Sequence, residues 1–267
     1  MQKRHQDRIA YFHELAHSSR EFFLPYIQSF IHLSNKEVLE IGCGEGGNLL
    51  PFYENGCNVT GIDLSEVKID TAKTMFQKSL KDHVQFEFRV EDFFQTKTVK
   101  KYDLIFVHDV IEHILDKDRF MMKVEKMLAD NGLVFFGFPA WQMPFGGHQQ
   151  ICKSKILSVL PFIHLLPKLC YKGLLNSFGE SKSTIAGLLE IRDCKMTVES
   201  FEKLIKSNGF DRIDRTLWFI NPHYKTKFGI PPVKVTKIFS KISFLRNYYT
   251  TSCFFIIRKK HPIKIRT

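Results

Sequence analysis

"VLEIGCGEGGNLLPF", residues 38–52, decides the fold. Its apolar start reads as a buried strand, Gly42, Gly44 and Gly46 as a tight turn, and the residues from about Asn48 as the start of a helix. Glycine adopts the backbone angles such a turn needs and lets a ligand come close to the chain. The helix N-terminus behind it attracts negative charge. The glycines alone leave the ligand open, because Gly42, Gly44 and Gly47 also satisfy the GxGxxG of dinucleotide-binding turns. Glu40 is the odd residue, an acid inside the aliphatic run. It would repel a pyrophosphate and suits a sulfonium ligand that brings a cationic methionine moiety and no phosphate. The plainer alternative is a strand-end acid bonded to nearby backbone amides.

Around this stretch, apolar runs at 37–41, 58–63, 84–90, 102–108 and 133–138 alternate with helical patterns, as expected of a parallel sheet covered on both faces. The stretch after Ser65 begins with an N-cap and offers Val67, Ile69, Ala72 and Phe76 for packing. The stretch after Asp118 carries Phe120, Val124, Met127 and Leu128 on one stripe and is expected to stop at Asn131-Gly132. A helix is expected over residues 5–30, inside an N-terminal helical segment spanning 1–33. Past Pro139 the rhythm breaks, and residues 139–195 hold Trp141, Gly146-Gly147 and a largely helical apolar stretch. An insertion after a strand's C-terminal end overhangs the place where open α/β sheets bind ligands, so this one is expected to be a lid. The rhythm resumes with a helix near 197–210 and runs at 212–220 and 248–258. There is no internal repeat, and a single domain over 1–267 is expected.

A composition of 44% hydrophobic and 25% charged residues is that of an ordinary globular chain, long enough at 267 residues to bury a full core. The six cysteines show no CxxC pairing and read as reduced thiols, not as a disulfide frame or a zinc site. The charged N-terminal residues lack the apolar core of a secretory signal, and the stretch 156–170 is broken by Pro161, His164 and Pro167. A cytoplasmic protein without a transmembrane segment is therefore expected. The net charge of +11 is unevenly spread: twelve Lys or Arg and no acid follow Asp214. That basic end is either a solvated face or a surface for phosphates, whether of RNA, of anionic lipid or of a substrate.

Asp63 ends the second run 21 residues after Gly42, where an acid can accept hydrogen bonds from ribose hydroxyls. Asp92, between Glu91 and Phe93-Phe94, could accept from an adenine amine while a phenylalanine covers the ring, or it could cap a helix. With Glu40, Gly42, Gly44 and Gly46, these residues and their neighbours Cys43, Leu64 and His108 make up the expected cofactor-binding set.

Taken together, Glu40-x-Gly42-x-Gly44-x-Gly46, Asp63, Asp92 and "YDLIFVHDVIEH" resemble the class I S-adenosylmethionine-dependent methyltransferases, over roughly residues 34–138. The resemblance implies a Rossmann-like, doubly wound seven-stranded sheet whose last strand is antiparallel, with the helical lid inserted after strand 5. It also implies S-adenosyl-L-methionine as cofactor, with Glu40 and the glycine turn at the methionine moiety, Asp63 at the ribose and Asp92 at the adenine. Asp109-x-x-Glu112-His113 is similar to the Glu-x-x-Glu-His of the ubiquinone-biosynthesis-type small-molecule methyltransferases, where those positions are associated with a divalent metal. Asp109 is one methylene shorter than that pattern. Packing beneath the cofactor is favoured over metal binding, and no metal ligand is assigned.

In methyl transfer the protein chiefly aligns the acceptor and removes a proton if the acceptor carries one. His148, in a loop overhanging the cleft, is the first candidate for general base, with an anchoring role as the alternative. Asp109 and His113 join it, expected to share one face of a helical turn at i and i+4. Trp141 and Phe145 are expected to stack on a planar acceptor, with His223 and Tyr224 also on the cleft side. The expected function is methyl transfer to a small molecule, aromatic or lipid-linked, at a hydroxyl oxygen, with peripheral membrane contact left open. The alternatives are an RNA or protein methyltransferase using the basic end, or a non-catalytic cofactor-binding scaffold or sensor. A dehydrogenase fits poorly with Glu40.

Overall fold

The computed structural model describes residues 7–79, 83–97 and 99–260. The strands are β1 (Glu37–Ile41), β2 (Asn58–Asp63), β3 (Phe86–Val90), β4 (Tyr102–His108), β5 (Leu128–Phe138), β6 (Phe210–Ile220), β7 (Val233–Lys234) and β8 (Ser252–Lys259). They form one sheet in the order β3-β2-β1-β4-β5-β8-β6-β7. The first five are mutually parallel, while β8 runs antiparallel to both β5 and β6. This is the expected doubly wound sheet with its last strand reversed. The two-residue β7, paired with the outer edge of β6, is an addition to the seven long strands. The chain winds outward in one direction from β1 and in the other from β4. The crevice beyond the C-terminal ends of that central pair is where such sheets bind ligands.

The α-helices are α1 (Arg8–Ser18), α2 (Leu24–Gln28), α3 (Leu50–Glu54), α4 (Glu66–Gln77), α5 (Lys117–Met127), α6 (Lys155–Val159), α7 (Lys168–Ser177), α8 (Lys182–Cys194), α9 (Val198–Ser207) and α10 (His223–Phe228). A five-residue π turn, Ser19–Phe23, joins α1 to α2, so the N-terminal segment is helical from residue 8 to 28. Period-two alternation along the central strands sends successive side chains to opposite faces. Leu39, Ile105, Val107, Val134 and Phe136 pack under Phe120 and Val124 of α5 and Phe201 of α9. Val38, Leu104, Phe106 and Phe135 pack under Phe12 and Phe23 of the N-terminal segment and Phe76 of α4. The insertion after β5 has a small core of its own around Leu157, Tyr171, Leu175 and Leu188.

Two boundaries depart from expectation. α5 ends at Met127, and Leu128 already pairs with Tyr102 at the start of β5. Asn131-Gly132 therefore lies inside that strand, where a side chain at 132 would meet Tyr102 O at 2.9 Å. In α4, Val67 is exposed and Met75 takes its place beside Ile69, Ala72 and Phe76. Val67 stands in the first turn, beyond the reach of the sheet, and apolar character alone could not exclude it.

Candidate active site

β1 delivers the chain into the glycine turn, where Gly42, Gly44 and Gly46 all have positive φ, at 71°, 53° and 79°. Gly42 is also sterically fixed, since a Cβ there would lie 2.5 Å from Val110 Cγ2. The turn is tied to β2 twice. Gly42 N and Cys43 N both donate to Ile62 O, and Gly44 N donates to Asp63 Oδ2 at 3.0 Å. The other Asp63 oxygen accepts from Ser65 N at 2.9 Å, so this carboxylate joins the glycine turn to the entry of α4. A carboxylate oxygen has room for more than one donor, and Asp63 keeps capacity toward the crevice.

Glu40 is 1% exposed. Asn48 Nδ2 donates to its Oε1 at 2.8 Å, and its Oε2 is buried without a partner. Burial pushes the Glu40 carboxyl well above its ordinary value and the charge of Asp63 adds to this, while the bond from Asn48 opposes it. Cys43 packs inward beneath the turn, its thiol pushed up by burial and by Glu40 and Asp63, so it contributes backbone and not a side chain.

A cavity of about 190 Å³ opens beside the turn, lined by Gly42, Asp63, Leu64, Glu91, Asp92 and Phe93 among others. Leu64 is 75% exposed at its rim, and Phe93 is buried against Phe120 with ring centroids 4.8 Å apart. Glu91 pairs with Arg89 at 3.2 Å. Asp92 does cap a helical turn, accepting from Phe94 N at 2.9 Å and from Gln95 Nε2 at 3.1 Å. It lines the cavity as well, so the two readings of this residue coexist.

A second cavity, of about 310 Å³, lies beyond the end of β4, where His108, Asp109, Glu112, Phe145, His148 and Tyr224 line it with Tyr11 of α1. His108, expected on the cofactor, stands on this side, its ring 4.7 Å from that of Phe23 and its Nδ1 3.3 Å from Asp109 Oδ2. Asp109 has φ +53° and precedes a short 3-10 turn, Ile111–His113. The helical face expected to carry Asp109 and His113 together therefore does not form. What forms instead is a cluster of Glu112, His113 and His148, whose possible ligand atoms all lie within 4.8 Å of one another. Both Glu112 oxygens are buried without a partner, and burial, reinforced by Asp109, pushes this carboxyl well above its ordinary value. Burial pushes His113 down and His148 down to about 4, with His113 adding to the effect on His148. One carboxylate and two neutral imidazoles are a donor set able to hold a divalent cation.

In the loop after β5, Gly146 and Gly147 are the central residues of a tight turn closed by His148 N donating to Phe145 O at 3.0 Å, and both are closely packed. Side chains there would meet Trp141 O at 2.2 Å and His164 Cβ at 2.2 Å, and the positive φ of 57° belongs to His148. Trp141 is buried edge-on against His164, 4.7 Å away, and does not line the cavity, so the acceptor-facing aromatic of this loop is Phe145. His223 reaches the N-terminal helix, with Nε2 2.9 Å from Glu14 Oε1 and Nδ1 2.9 Å from Ser18 Oγ. This clasp holds α1, and with it Tyr11, over the cavity. Asn48, as the partner of Glu40, and Tyr11 escape a sequence reading. The first lies eight residues from its partner, and the second comes from an element that carries no motif. Glu112 is named in the Asp109-x-x-Glu112-His113 pattern, but a carboxylate there gives no sign that it will be buried.

The sheet order, the glycine turn and the acids at the ends of β2 and β3 define the class I S-adenosylmethionine-dependent methyltransferase architecture. A family model described as a methyltransferase domain matches residues 39–134. The ubiquinone biosynthesis O-methyltransferase of Coxiella burnetii is 31% identical over 114 residues, 42% of this chain and 47% of that protein. Its namesake in Pelagibacter ubique is 34% identical over 103 residues, 39% and 42% of the two chains. The chain thus spans about half the length of the curated relatives it matches. Among solved structures, magnesium protoporphyrin IX methyltransferase from Synechocystis with bound S-adenosylhomocysteine superposes with a TM-score of 0.58 at 16% identity, covering 94% of this chain and 87% of that one. A putative sarcosine dimethylglycine methyltransferase from Galdieria sulphuraria gives 0.57 at 14%, covering 92% and 85%. Among the described residues no helix is long and apolar enough to cross a membrane.

Proposed function

We propose that this chain is an enzyme that transfers the methyl group of S-adenosyl-L-methionine to a hydroxyl oxygen of a small molecule. The observation that carries this reading is Glu40 Oε2, a buried carboxylate oxygen without a partner behind the glycine turn. A site built this way fits a cation and opposes a pyrophosphate. When bound, the cofactor supplies a sulfonium whose methyl is already activated. The chain's own residues then bind and align. Glu40 faces the amino-acid end, Asp63 accepts from the ribose hydroxyls, and Asp92 with Phe93 holds the base.

On the acceptor side, His148 is neutral at pH 7 and free to accept a proton. Its depressed basicity means that it gains strength only when a charge such as that of Asp109 is drawn near. Asp109 lines the same cavity, and His113 stands behind His148 with ring centroids 5.0 Å apart. Residues 139–195 act as the lid, bringing Met143, Phe145, His148 and Ile151 to the cavity. Apolar and aromatic lining favours an aromatic or lipid-linked acceptor over a bare sugar. The six free cysteines fit a reducing, cytoplasmic setting. Incubation of the purified chain with methyl-labelled cofactor and fractionated metabolite extract tests the reading. The expected result is S-adenosylhomocysteine formed in step with label in an extractable small molecule. Cofactor binding with no product from any fraction would leave a binder and not an enzyme.

A further inference from the structure

Between β6 and β8 the chain makes a turn that wears its polarity inside out. Ile238, Phe239, Phe244, Leu245 and Tyr248 are exposed, Ile238 by 77% and Phe244 by 70%, while Arg246 and Asn247 among them are buried. The buried pair locks the turn onto the start of α9. Arg246 Nε donates to Glu199 Oε1 at 2.8 Å, and Asn247 Nδ2 donates to Glu199 Oε2 at 2.6 Å. Asn247 Oδ1 also accepts from Val198 N at 2.9 Å. The apolar side chains are therefore held outward by a fixed base, and are not left over from a loose loop.

Phe244 sits at φ +63° and ψ −49°, the centre of a three-residue turn closed by Leu245 N donating to Ser243 O at 2.8 Å, a backbone that a bulky side chain rarely adopts, with its own N–H held by Glu199 Oε1 at 2.9 Å. Phe162 in the insertion also has positive φ, in the left-handed region. It is exposed at φ +64°, and its ring lies 6.5 Å from that of Tyr248. Two strained, outward phenylalanines from separate segments thus border one patch. Exposed Lys234, Lys237 and Lys241 stand in the same segment, and no acidic residue follows Asp214.

We infer that this surface, the 238–248 turn with Phe162, docks the protein onto an anionic lipid bilayer. Aromatic and aliphatic side chains would enter the headgroup boundary while the lysines remain among the phosphates. Charge decides against a second copy of this chain, because pairing the patch with itself would bring like charges together. Nucleic acid would leave Ile238 and Leu245 without a role. The inference concerns this surface alone and stands apart from the methyl-transfer reading.

The test is flotation of the full chain with vesicles of phosphatidylcholine alone and of phosphatidylcholine mixed with phosphatidylglycerol. Wild type is expected to float with the mixed vesicles at least about tenfold more strongly than with the neutral ones, the preference shrinking with salt. The double variant Phe244→Gly/Leu245→Ser should lose about tenfold or more of this binding with an undiminished melting temperature, since glycine relieves the positive-φ strain. Lys237→Glu/Lys241→Glu should abolish the preference for anionic vesicles. Absence of binding to mixed vesicles, or unchanged binding by either variant, overturns the inference. So does a wild-type dimer that the Phe244 variant dissociates, or an oligonucleotide bound more tightly than the vesicles.

Discussion

Asn48 holds one oxygen of Glu40 at 2.8 Å and leaves the other buried and bare. The pair converts an acid that burial alone would neutralise into a receptor with a defined orientation. A cation arriving at the bare oxygen lowers the carboxyl's pKa and drives its proton off.

Binding of S-adenosylhomocysteine, which carries the same ammonium, should therefore tighten as pH rises through the raised Glu40 value and then level off. Glu40→Gln keeps an oxygen for Asn48 but removes the charge. It should weaken binding by about 1.5–3 kcal/mol and flatten this pH dependence. Calorimetry across pH measures both. A variant with wild-type affinity and slope would remove Glu40 from the site.

Asp63→Asn leaves one oxygen for a backbone donor but turns the other position into a donor facing Gly44 N or Ser65 N. Affinity for the cofactor should drop by about 2 kcal/mol, and the melting temperature should fall as well, because the glycine turn loses a tie. Loss of stability with intact affinity would mean that Asp63 only fastens the turn.

His148→Gln should depress turnover by about a hundredfold while leaving S-adenosylhomocysteine binding nearly unchanged. Equal turnover would take His148 out of the proton-accepting role and leave it as an anchor of the loop.

The depressed histidines also set an acid limit. Burial pushes both His148 and fully buried His164 from 6.5 down to about 4, so the unfolded chain binds more protons than the folded one between those values. Stability is then present above pH 6.5 and is lost as pH falls toward 4, by on the order of 3 kcal/mol for His164. Glu40 and Glu112, raised in the folded state, act with the opposite sign. Their contribution is complete below their unfolded value and fades as pH rises through the folded one. Thermal melts of wild type and His164→Asn between pH 4 and 7 should show a shallower acid slope in the variant. Parallel slopes would refute the assignment.

Gly42→Ala places a methyl 2.5 Å from Val110 Cγ2 on a backbone of positive φ, and should cost about 1–3 kcal/mol. Adding Val110→Ala removes the clash but not the strain, so chemical denaturation should show only partial recovery.

The strands around the glycine turn were legible because their side chains must alternate between two buried faces, and because Gly42 and Asp63 serve local geometry that composition betrays. The acceptor side was less so. Asp109 and His113 have helical spacing, yet the left-handed backbone at 109 separates them, and the spacing carries no trace of that. Trp141 is the residue type that stacks on planar ligands, but its neighbour His164 claims its ring from 23 positions away. Where function depends on contacts between distant segments, one sequence supplies the candidates and not their partners.

The clasp from His223 to Glu14 and Ser18 joins positions more than two hundred residues apart. During synthesis, the amino-terminal helix can pack on Phe76 and the glycine turn long before its clasp, which must wait for residue 223. A ribosome-bound nascent chain can thus assemble the glycine turn and seat this helix against it early, while the latch over the acceptor chamber is added only once residue 223 has emerged.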